Sequence, residues 1–389
     1  MIINRTLPNN SVSILSKLSN TGIDVISSVY ALIIWLISYP YFTWGSQIPT
    51  LGLMVLFLIT FVRTRIDKKI VPLIPIFAFL YFWMSCRGPF SFIGGVFVFF
   101  NWLVFILDKR TLDSSFKKYK SIFSLTIVPS LLVFVLIVCG CDFPFHSISP
   151  LNPLKQGSYR VYPFLVMYEG IEGFLMPRFN GYYDEPGLLG TISAILLITD
   201  KFNLRKLENW PILISGILSL SLFFFVMSGI YFLLFAGKKY LLLVVLILFV
   251  AVPIAANIPY IKVAFLTRFE FENGKLAGDN RSQGDYDVWF KQYAMSSESL
   301  IGKGGDAAME HNKGGASYKD LIVVYGWLFF IGYCIFFMLY CYKVSSGFVN
   351  FCICSVVYLC LIYQRPSLSD YFYVFLLCGA SRSMRSVGH

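Results

Sequence analysis

Basic and acidic side chains that could act on an anionic substrate gather in two polar stretches of the chain, residues 141–186 and 257–320. In the first stretch, Arg178 is followed closely by Asp184 and Glu185. Arginine binds phosphate oxygens through two parallel N–H donors, and a nearby carboxylate can orient or deprotonate a hydroxyl nucleophile. These residue types favour group transfer from a phosphate-bearing donor to a hydroxyl.

The acidic pair also has a structural explanation. Asp184 and Glu185 stand directly before Pro186 and Gly187, at the start of an apolar run. Acids before the first turn and a proline at the first helical position are typical of a helix N-terminus, where a carboxylate interacts favourably with the helix dipole. A role in the helix start and a role in catalysis can hold together.

Histidine and aromatic residues in the same stretches suggest sugar chemistry. The imidazole of His311, between Glu310 and Asn312, could accept a proton from a sugar hydroxyl near neutral pH. Tyr182 and Tyr183 are candidate sugar platforms beside the acidic pair, although aromatic belts at a membrane interface explain such residues equally well. Further aromatic candidates are Tyr159, Tyr162, Tyr168, Tyr286, Trp289 and Tyr293.

The composition indicates an integral membrane protein. Hydrophobic residues make up 57% and charged residues 14% of the 389 residues, whereas charged residues make up about 25% of a soluble domain. The net charge of +11 falls mostly in short loops between apolar runs, so we interpret it as topology and predict no nucleic-acid partner. The sequence lacks a Walker loop, a dinucleotide glycine fingerprint and zinc-ligand spacing, and we predict neither a cofactor nor a metal site.

The apolar runs predict a helical bundle. Crossing a membrane takes roughly 20 apolar residues per helix, and backbone groups in lipid must be satisfied within the chain. We predict an all-α, polytopic transmembrane bundle of about twelve helices (ten to twelve), forming one integral membrane domain over residues 1–389. The predicted helices are 26–43, 48–62, 70–85, 90–107, 121–140, 187–199, 210–226, 229–237, 240–257, 321–341, 347–364 and 369–381.

Basic residues predict the orientation of this bundle. With the N-terminus in the cytoplasm, the inner loops carry most of the lysines and arginines, as the positive-inside rule expects. Both termini are then cytoplasmic, and residues 141–186 and 257–320 form two large periplasmic loops of a bacterial inner-membrane protein. The apolar runs contain almost no ionisable residues, which argues against an ion-coupled transport pathway.

Several other arginines lie on the predicted outer side. Arg160, Arg268 and Arg281 belong to the two large loops, and Arg87 and Arg365 lie in very short turns where the positive-inside rule disfavours a basic residue. Lipid headgroups could supply the anion that such residues need. A diphosphate is the alternative, because several arginines around one leaving group would stabilise the charge that develops on it.

The sequence resembles the bacterial O-antigen polymerase family (Wzy type), within the broader group that includes the O-antigen ligases. Residues 178–187, Arg-Phe-Asn-Gly-Tyr-Tyr-Asp-Glu-Pro-Gly, are similar to the Arg-Phe-x-Gly-x-x-x-x-Pro element that precedes a helix in this group. His311 and Asn312, followed by a helix that contains Gly326, are similar to an element of the ligases. The predicted helix number and the two arginine-bearing outer loops extend the resemblance over the whole chain.

The resemblance implies a membrane glycosyltransferase that requires no metal. Its donor would be an undecaprenyl-diphosphate-linked oligosaccharide, whose glycan moves to a sugar hydroxyl of a fresh lipid-linked repeat unit at the periplasmic face. Membrane lipid is a further partner, and a chain-length regulator protein stays open as another. The residues expected to bind the diphosphate are Arg178, Arg268 and Arg281, with Arg160 or Arg365. The residues expected to assist the acceptor hydroxyl are Asp184, Glu185 or His311.

Two other functions compete with polymerisation. An O-antigen ligase uses the same donor but transfers the glycan to lipid A–core, and His311 with Asn312 favours it slightly, while the substantial first loop with Arg178 favours the polymerase. A lipid-linked oligosaccharide flippase or another transporter would be expected to have short loops and charged residues within its helices. This sequence has the opposite features.

Overall fold

The computed structural model describes residues 9–38, 40–44, 55, 58–59, 61–62, 64–87, 103–150, 157–169, 178–235, 237, 242, 246, 253, 257, 262, 270–272, 275–276, 284–305, 317–364 and 371–384. Over these residues the chain is mainly helical, with ten α-helices. They are α1 (Asn9–Ile37), α2 (Ile74–Arg87), α3 (Lys109–Val138), α4 (Pro186–Thr199), α5 (Asn209–Leu218), α6 (Leu222–Leu234), α7 (Gly284–Ala294), α8 (Ser317–Val344), α9 (Phe348–Gln364) and α10 (Tyr371–Ser383).

Two helices in the described part of the chain are long and apolar enough to cross a membrane. They are Lys109–Val138, which is α3, and Tyr318–Val344 within α8. Six further apolar helices of the described chain are shorter, with 10–17 residues each. The predicted helical character is therefore confirmed, whereas the bundle of about twelve spanning helices stays a prediction.

Aromatic contacts hold the long helices together. α3 packs along α1 and against α10, where Phe116 and Tyr119 both contact the ring of Phe375. α8 packs against α2 and α9, and Phe337 stacks on Tyr358 with ring centroids 3.9 Å apart. These large side chains are buried in one continuous core.

The first polar stretch contains a small sheet that the all-α prediction did not include. Strands β1 (His146–Ile148), β2 (Ser158–Tyr162) and β3 (Leu165–Glu169) pair antiparallel in the order β1-β2-β3. Tyr159 and Val161 alternate inward on β2 and are buried, as a half-buried strand requires. A second pair, β4 (Phe271–Glu272) and β5 (Lys275–Leu276), lies in the other polar stretch.

Helix α8 is broken at Gly326, whose backbone angles are φ 89° and ψ 167°. The carbonyl groups of the turn before the break find partners outside the helix. Trp83 Nε1 donates to Tyr325 O at 2.8 Å. The backbone N–H groups of Lys303 and Gly304 donate to Val323 O and Val324 O. Such a break is tolerated within an apolar span only where other parts of the protein satisfy the freed groups. The predicted helix 321–341 was unbroken, and that prediction was wrong at Gly326.

Candidate functional site

The segment 178–185, which contains the predicted catalytic residues, is fixed by its backbone to two neighbouring elements. Phe179 N donates to Leu218 O, at the end of α5, with a distance of 3.1 Å. On the other side, Val166 N on β3 donates to Gly181 O at 2.7 Å. The segment therefore lies between the β2–β3 hairpin and the turn that joins α5 to α6. At its end it leads directly into α4.

Arg178 is bound to the C-terminal end of α5. Its Nε and Nη2 donate to Ser219 O at 3.2 and 3.1 Å, and Nη2 also donates to Leu220 O at 3.1 Å. Leu220 has a positive φ of 47°, so the chain turns sharply and brings both carbonyls to the same guanidinium. A positive charge at a helix C-terminus interacts favourably with the helix dipole. This half-buried arginine is thus held in one orientation at the end of α5.

The predicted helix start after the acidic pair is confirmed. Glu185 is the N-cap of α4 and Pro186 is its first residue. Within the described chain the Glu185 side chain makes no capping hydrogen bond to this first turn. The backbone carbonyl of Asp184 accepts a hydrogen bond from Tyr159 Oη at 2.7 Å, which ties the acidic pair to β2. Both acids are half-buried and close in sequence to the fixed guanidinium of Arg178.

Tyr182 and Tyr183 lie in the core, in contrast to the open sugar platform that we expected. Tyr182 is 3% and Tyr183 0% exposed. Tyr182 Oη accepts a hydrogen bond from Trp35 Nε1 at 3.0 Å and is 3.0 Å from Thr126 Oγ1, while Tyr183 Oη is 3.0 Å from Ser38 Oγ. Burial raises the pKa of both hydroxyls, which keeps them neutral. In this structure both side chains join the segment 178–185 to α1 and α3.

Arg160 is paired within the small sheet. Its Nη2 forms an ion pair and hydrogen bond with Glu169 Oε1 on the neighbouring strand, and its guanidinium carbon lies 4.5 Å from the centre of the Phe145 ring. The hydrogen bond from Arg160 lowers the pKa of Glu169, and the same bond raises the pKa of Arg160. A phosphate at this site would have to compete with Glu169 for the guanidinium.

Four predicted site residues lie outside the described residues, and their predicted roles stay predictions. They are Arg268, Arg281, His311 and Arg365. Among the residues that the structure does describe, no group of three or more histidine, cysteine, aspartate or glutamate side chains could hold a metal ion.

A second polar cluster on α7 and the start of α8 was not predicted as a unit. Lys319 forms an ion pair with Asp287, and Tyr286 Oη donates to Asp320 Oδ1 at 2.9 Å. Burial raises the pKa of Tyr286, and the negative charge of Asp320 adds to this effect. Tyr286 was predicted as an aromatic candidate, whereas the two acids and the lysine were not predicted as site residues. The local signal for this cluster was that its charged residues lie next to aromatic residues, in Tyr286-Asp287 and in Tyr318-Lys319-Asp320.

Next to this cluster lies a stacked aromatic pair. Trp289 and Tyr293 on α7 have ring centroids 5.2 Å apart and planes inclined by only 5°. The ammonium group of Lys303 lies 6.0 Å from the first ring centre and 5.3 Å from the second, within reach of a cation–π interaction. Trp289 is half-buried and Lys303 is exposed, so a polar molecule could approach this pair from solvent.

A buried charge cluster lies at the opposite end of α4 from the acidic pair, about 21 Å along a helix of this length. Lys120 on α3, with a side chain only 5% exposed, pairs with Asp200 and with Glu208 Oε1. Lys206 reaches the same aspartate at 3.0 Å. Burial raises the pKa of Asp200, but the two ammonium groups outweigh burial and the pKa lies below its ordinary value. Lys120 stands directly before the predicted helix 121–140, and this cluster was not predicted.

Comparisons with known proteins add no assignment: the sequence matches no family model and no curated protein, and the fold matches no solved structure.

Proposed function

We propose that this protein is a multi-pass membrane glycosyltransferase that polymerises undecaprenyl-diphosphate-linked oligosaccharide repeat units into O-antigen or a related surface polysaccharide. The observation that carries the proposal is the position of Arg178. Its guanidinium is fixed by Ser219 and Leu220, and the two acids that precede α4 follow it in the same short segment, 178–185. A fixed cation and candidate bases on one short segment suit transfer from a diphosphate leaving group.

The proposed reaction is displacement at the anomeric carbon of the donor glycan. The acceptor sugar hydroxyl attacks this carbon, a new glycosidic C–O bond forms, and the bond from the carbon to the diphosphate oxygen breaks. The electron pair leaves with the lipid diphosphate, whose growing negative charge Arg178 stabilises. The hydroxyl proton passes to Glu185 or Asp184. Arg268, Arg281, His311 and Arg365 are further proposed contributors from outside the described residues.

The proposed topology follows the charges on the two candidate spans. The N-terminal part of α3 carries Lys109, Arg110, Lys117 and Lys118, and Lys343 lies in the last turn of α8. Basic residues at these ends favour a cytoplasmic location for them. Because α3 runs from this end towards residues 141–186, the same orientation makes the segment 178–185 periplasmic. A bundle of about twelve helices in a bacterial inner membrane, with both termini cytoplasmic, completes the proposal.

The test is a lipopolysaccharide gel of a deletion strain with and without the complementing gene. A polymerase deletion leaves core carrying a single repeat unit, and the gene restores the ladder. Bare core would favour the ligase, the alternative that His311 and Asn312 suggest. An unchanged ladder would contradict both functions and direct attention to another glycan or to transport.

Variants of Arg178 extend this test to the site. Arg178→Ala should abolish the ladder, and Arg178→Lys should restore little of it, because a lysine keeps the charge but loses the forked donors. Arg205→Ala, which removes an exposed arginine from the loop between α4 and α5, is the matched control. Membrane insertion and the melting temperature are measured for each purified variant. A lower melting temperature would show that loss of the contact with α5 destabilises the protein, whereas loss of the ladder at an unchanged melting temperature would show loss of catalysis. A full ladder in a stable Arg178→Ala protein would exclude Arg178 from the mechanism.

A further inference from the structure

A cavity of about 610 Å³ opens at the end of α8 that the proposed topology makes cytoplasmic. Its walls come from the turn before α2, from the last turn of α8 and from the first turn of α9. Lysine and aromatic side chains dominate the lining. They are Lys68, Lys69, Lys343, Tyr342, Phe348 and Phe351.

The cavity is strongly basic. Lys68, Lys69 and Lys343 are all exposed, and among the described residues no carboxylate contributes to the lining. The nearest acid in sequence, Asp67, is already paired with Arg382, whose Nη1 donates to Asp67 Oδ2 at 2.7 Å, and its Oδ1 accepts a hydrogen bond from Lys69 N at 2.9 Å. Within the described part of the chain, none of the three lysine ammonium groups has an ion-pair partner. Within the described residues, three positively charged side chains therefore line one cavity without an ion-pair partner.

The rim of the same cavity is aromatic and apolar. Tyr342 is 67% and Phe348 75% exposed, and the ring of Tyr342 lies against Phe351 edge to face, with centroids 6.0 Å apart. Val349 and Val71 beside them are also exposed. Water is an unfavourable neighbour for these side chains, whereas the boundary between headgroups and acyl chains suits rings of this kind.

We propose that this cavity binds the headgroup of an anionic phospholipid from the cytoplasmic leaflet. The phosphate lies among Lys68, Lys69 and Lys343, and the upper acyl chains cover Tyr342 and Phe348. Basic pockets between transmembrane helices on the cytoplasmic side are suited to such headgroups. The site lies at the other end of α8 from the polar cluster that includes Lys319 and Asp320. It is therefore separate from the proposed glycan chemistry, although its leaflet follows from the proposed topology.

Native mass spectrometry of the full-length protein in detergent tests the proposal. Phosphatidylglycerol and phosphatidylcholine are added in turn, and bound lipid is measured as a function of concentration. We expect phosphatidylglycerol to bind at least about tenfold more tightly than phosphatidylcholine, given the attraction of each lysine for an anionic headgroup. The triple variant Lys68→Gln, Lys69→Gln, Lys343→Gln should lose this preference.

The matched control removes three positive charges from the same proposed face but outside the cavity, by Lys109→Gln, Arg110→Gln and Arg205→Gln. This variant should keep the preference for phosphatidylglycerol. Equal binding of both lipids, or equal losses in the two triple variants, would overturn the proposal. All three cavity lysines are exposed, so we expect the triple variant to fold normally. The single variant Lys343→Gln is a second test, and it should lose part of the preference for phosphatidylglycerol.

Inorganic phosphate separates a lipid site from a site for a soluble anion. We expect millimolar phosphate to displace little phosphatidylglycerol, because the acyl chains contribute to binding at the aromatic rim. Complete displacement by millimolar phosphate would overturn the lipid assignment in favour of a soluble phosphate ligand. The measurement requires no glycan substrate, so its failure would leave the proposed polymerase activity untouched.

Discussion

Gly302 and Gly326 meet backbone to backbone at the break in α8. A Cβ atom on either glycine would lie 2.6 Å from the backbone nitrogen of the other. Both residues have positive φ angles, 78° and 89°, which residues other than glycine rarely adopt. The contact brings the segment 302–304 to the break, where it supplies donors for the freed carbonyls of α8. The broken helix therefore depends on two glycines that are distant in sequence.

Gly326→Ala should destabilise the protein by more than about 2 kcal/mol. The strained φ alone costs roughly 1–2 kcal/mol, and the backbone atoms that the new methyl group would meet cannot move aside as a flexible side chain could. Gly229→Ala is the matched control, because it replaces a glycine within α6 that has nothing within 4 Å of its Cβ position. Melting temperatures in detergent measure both variants. Similar melting of the two would contradict the proposed need for glycine at the break.

Lys120→Met should destabilise the protein by about 2 to 3 kcal/mol, the range expected when charged groups lose a hydrogen-bonding partner. The variant leaves the carboxylate of Glu208 without its ammonium group and leaves Asp200 with the ammonium group of Lys206 and the amide of Asn209. Lys117→Met on the same helix is the control, since Lys117 is 51% exposed and its pair with Asp113 contributes less than about 0.5 kcal/mol. Unfolding by SDS titration gives both values. Equal losses of unfolding free energy in Lys120→Met and Lys117→Met would show that the buried cluster contributes little to stability.

The same cluster predicts a dependence of stability on pH. Because the pKa of Asp200 is lowered in the folded protein, its stabilising contribution is fully present above the unfolded value of about 3.9 and is lost as pH falls through the folded pKa. Asp200→Asn should therefore be less stable than the parent at pH 7, with a difference that shrinks below about pH 4. In Lys120→Met the effect of Asp200→Asn should be smaller. A difference that does not change with pH would contradict this origin.

Long apolar segments were predictable from the sequence, whereas contacts between distant segments were not. The apolar half of α3 was predicted as 121–140, but the structure starts this helix at Lys109. The missed part is polar, and hydropathy does not reveal it. Its start had a local signal in Asp108, whose side chain accepts hydrogen bonds from Arg110 N and Thr111 N as an N-cap.

Residues of the candidate site show the same division. The helix start at Pro186 follows from local chemistry and was predicted correctly. The environment of Lys120 depends on acids 80 and 88 positions away, and no local pattern indicates such partners. The strands of the small sheet have at most five residues, too short for alternation to stand out within a polar loop. Burial of Tyr182 likewise depends on how α1 and α3 pack around it.

Tyr182→Phe should destabilise the protein by about 1 to 3 kcal/mol, the cost of leaving a buried donor unsatisfied. The donor is Trp35 Nε1, whose hydrogen bond to the Tyr182 hydroxyl would be lost. Thr126 also bonds this hydroxyl but can donate to Ile122 O instead. Tyr183→Phe is the matched control. Its partner Ser38 Oγ also donates to Trp35 O at 2.6 Å, and this bond persists in the variant, so its cost should be smaller.

The comparison of these two variants separates packing from sugar binding. If Tyr182 acts through packing, the variant protein should melt at a lower temperature, and growth of the strain at a lower temperature should restore its polysaccharide ladder. If the hydroxyl of Tyr182 contacts the glycan, the ladder should shorten at every temperature while the melting temperature of the protein stays unchanged. We expect the first outcome, because Tyr182 is 3% exposed and bonded to side chains of both α1 and α3. Equal stability of the Tyr182→Phe and Tyr183→Phe proteins would contradict it.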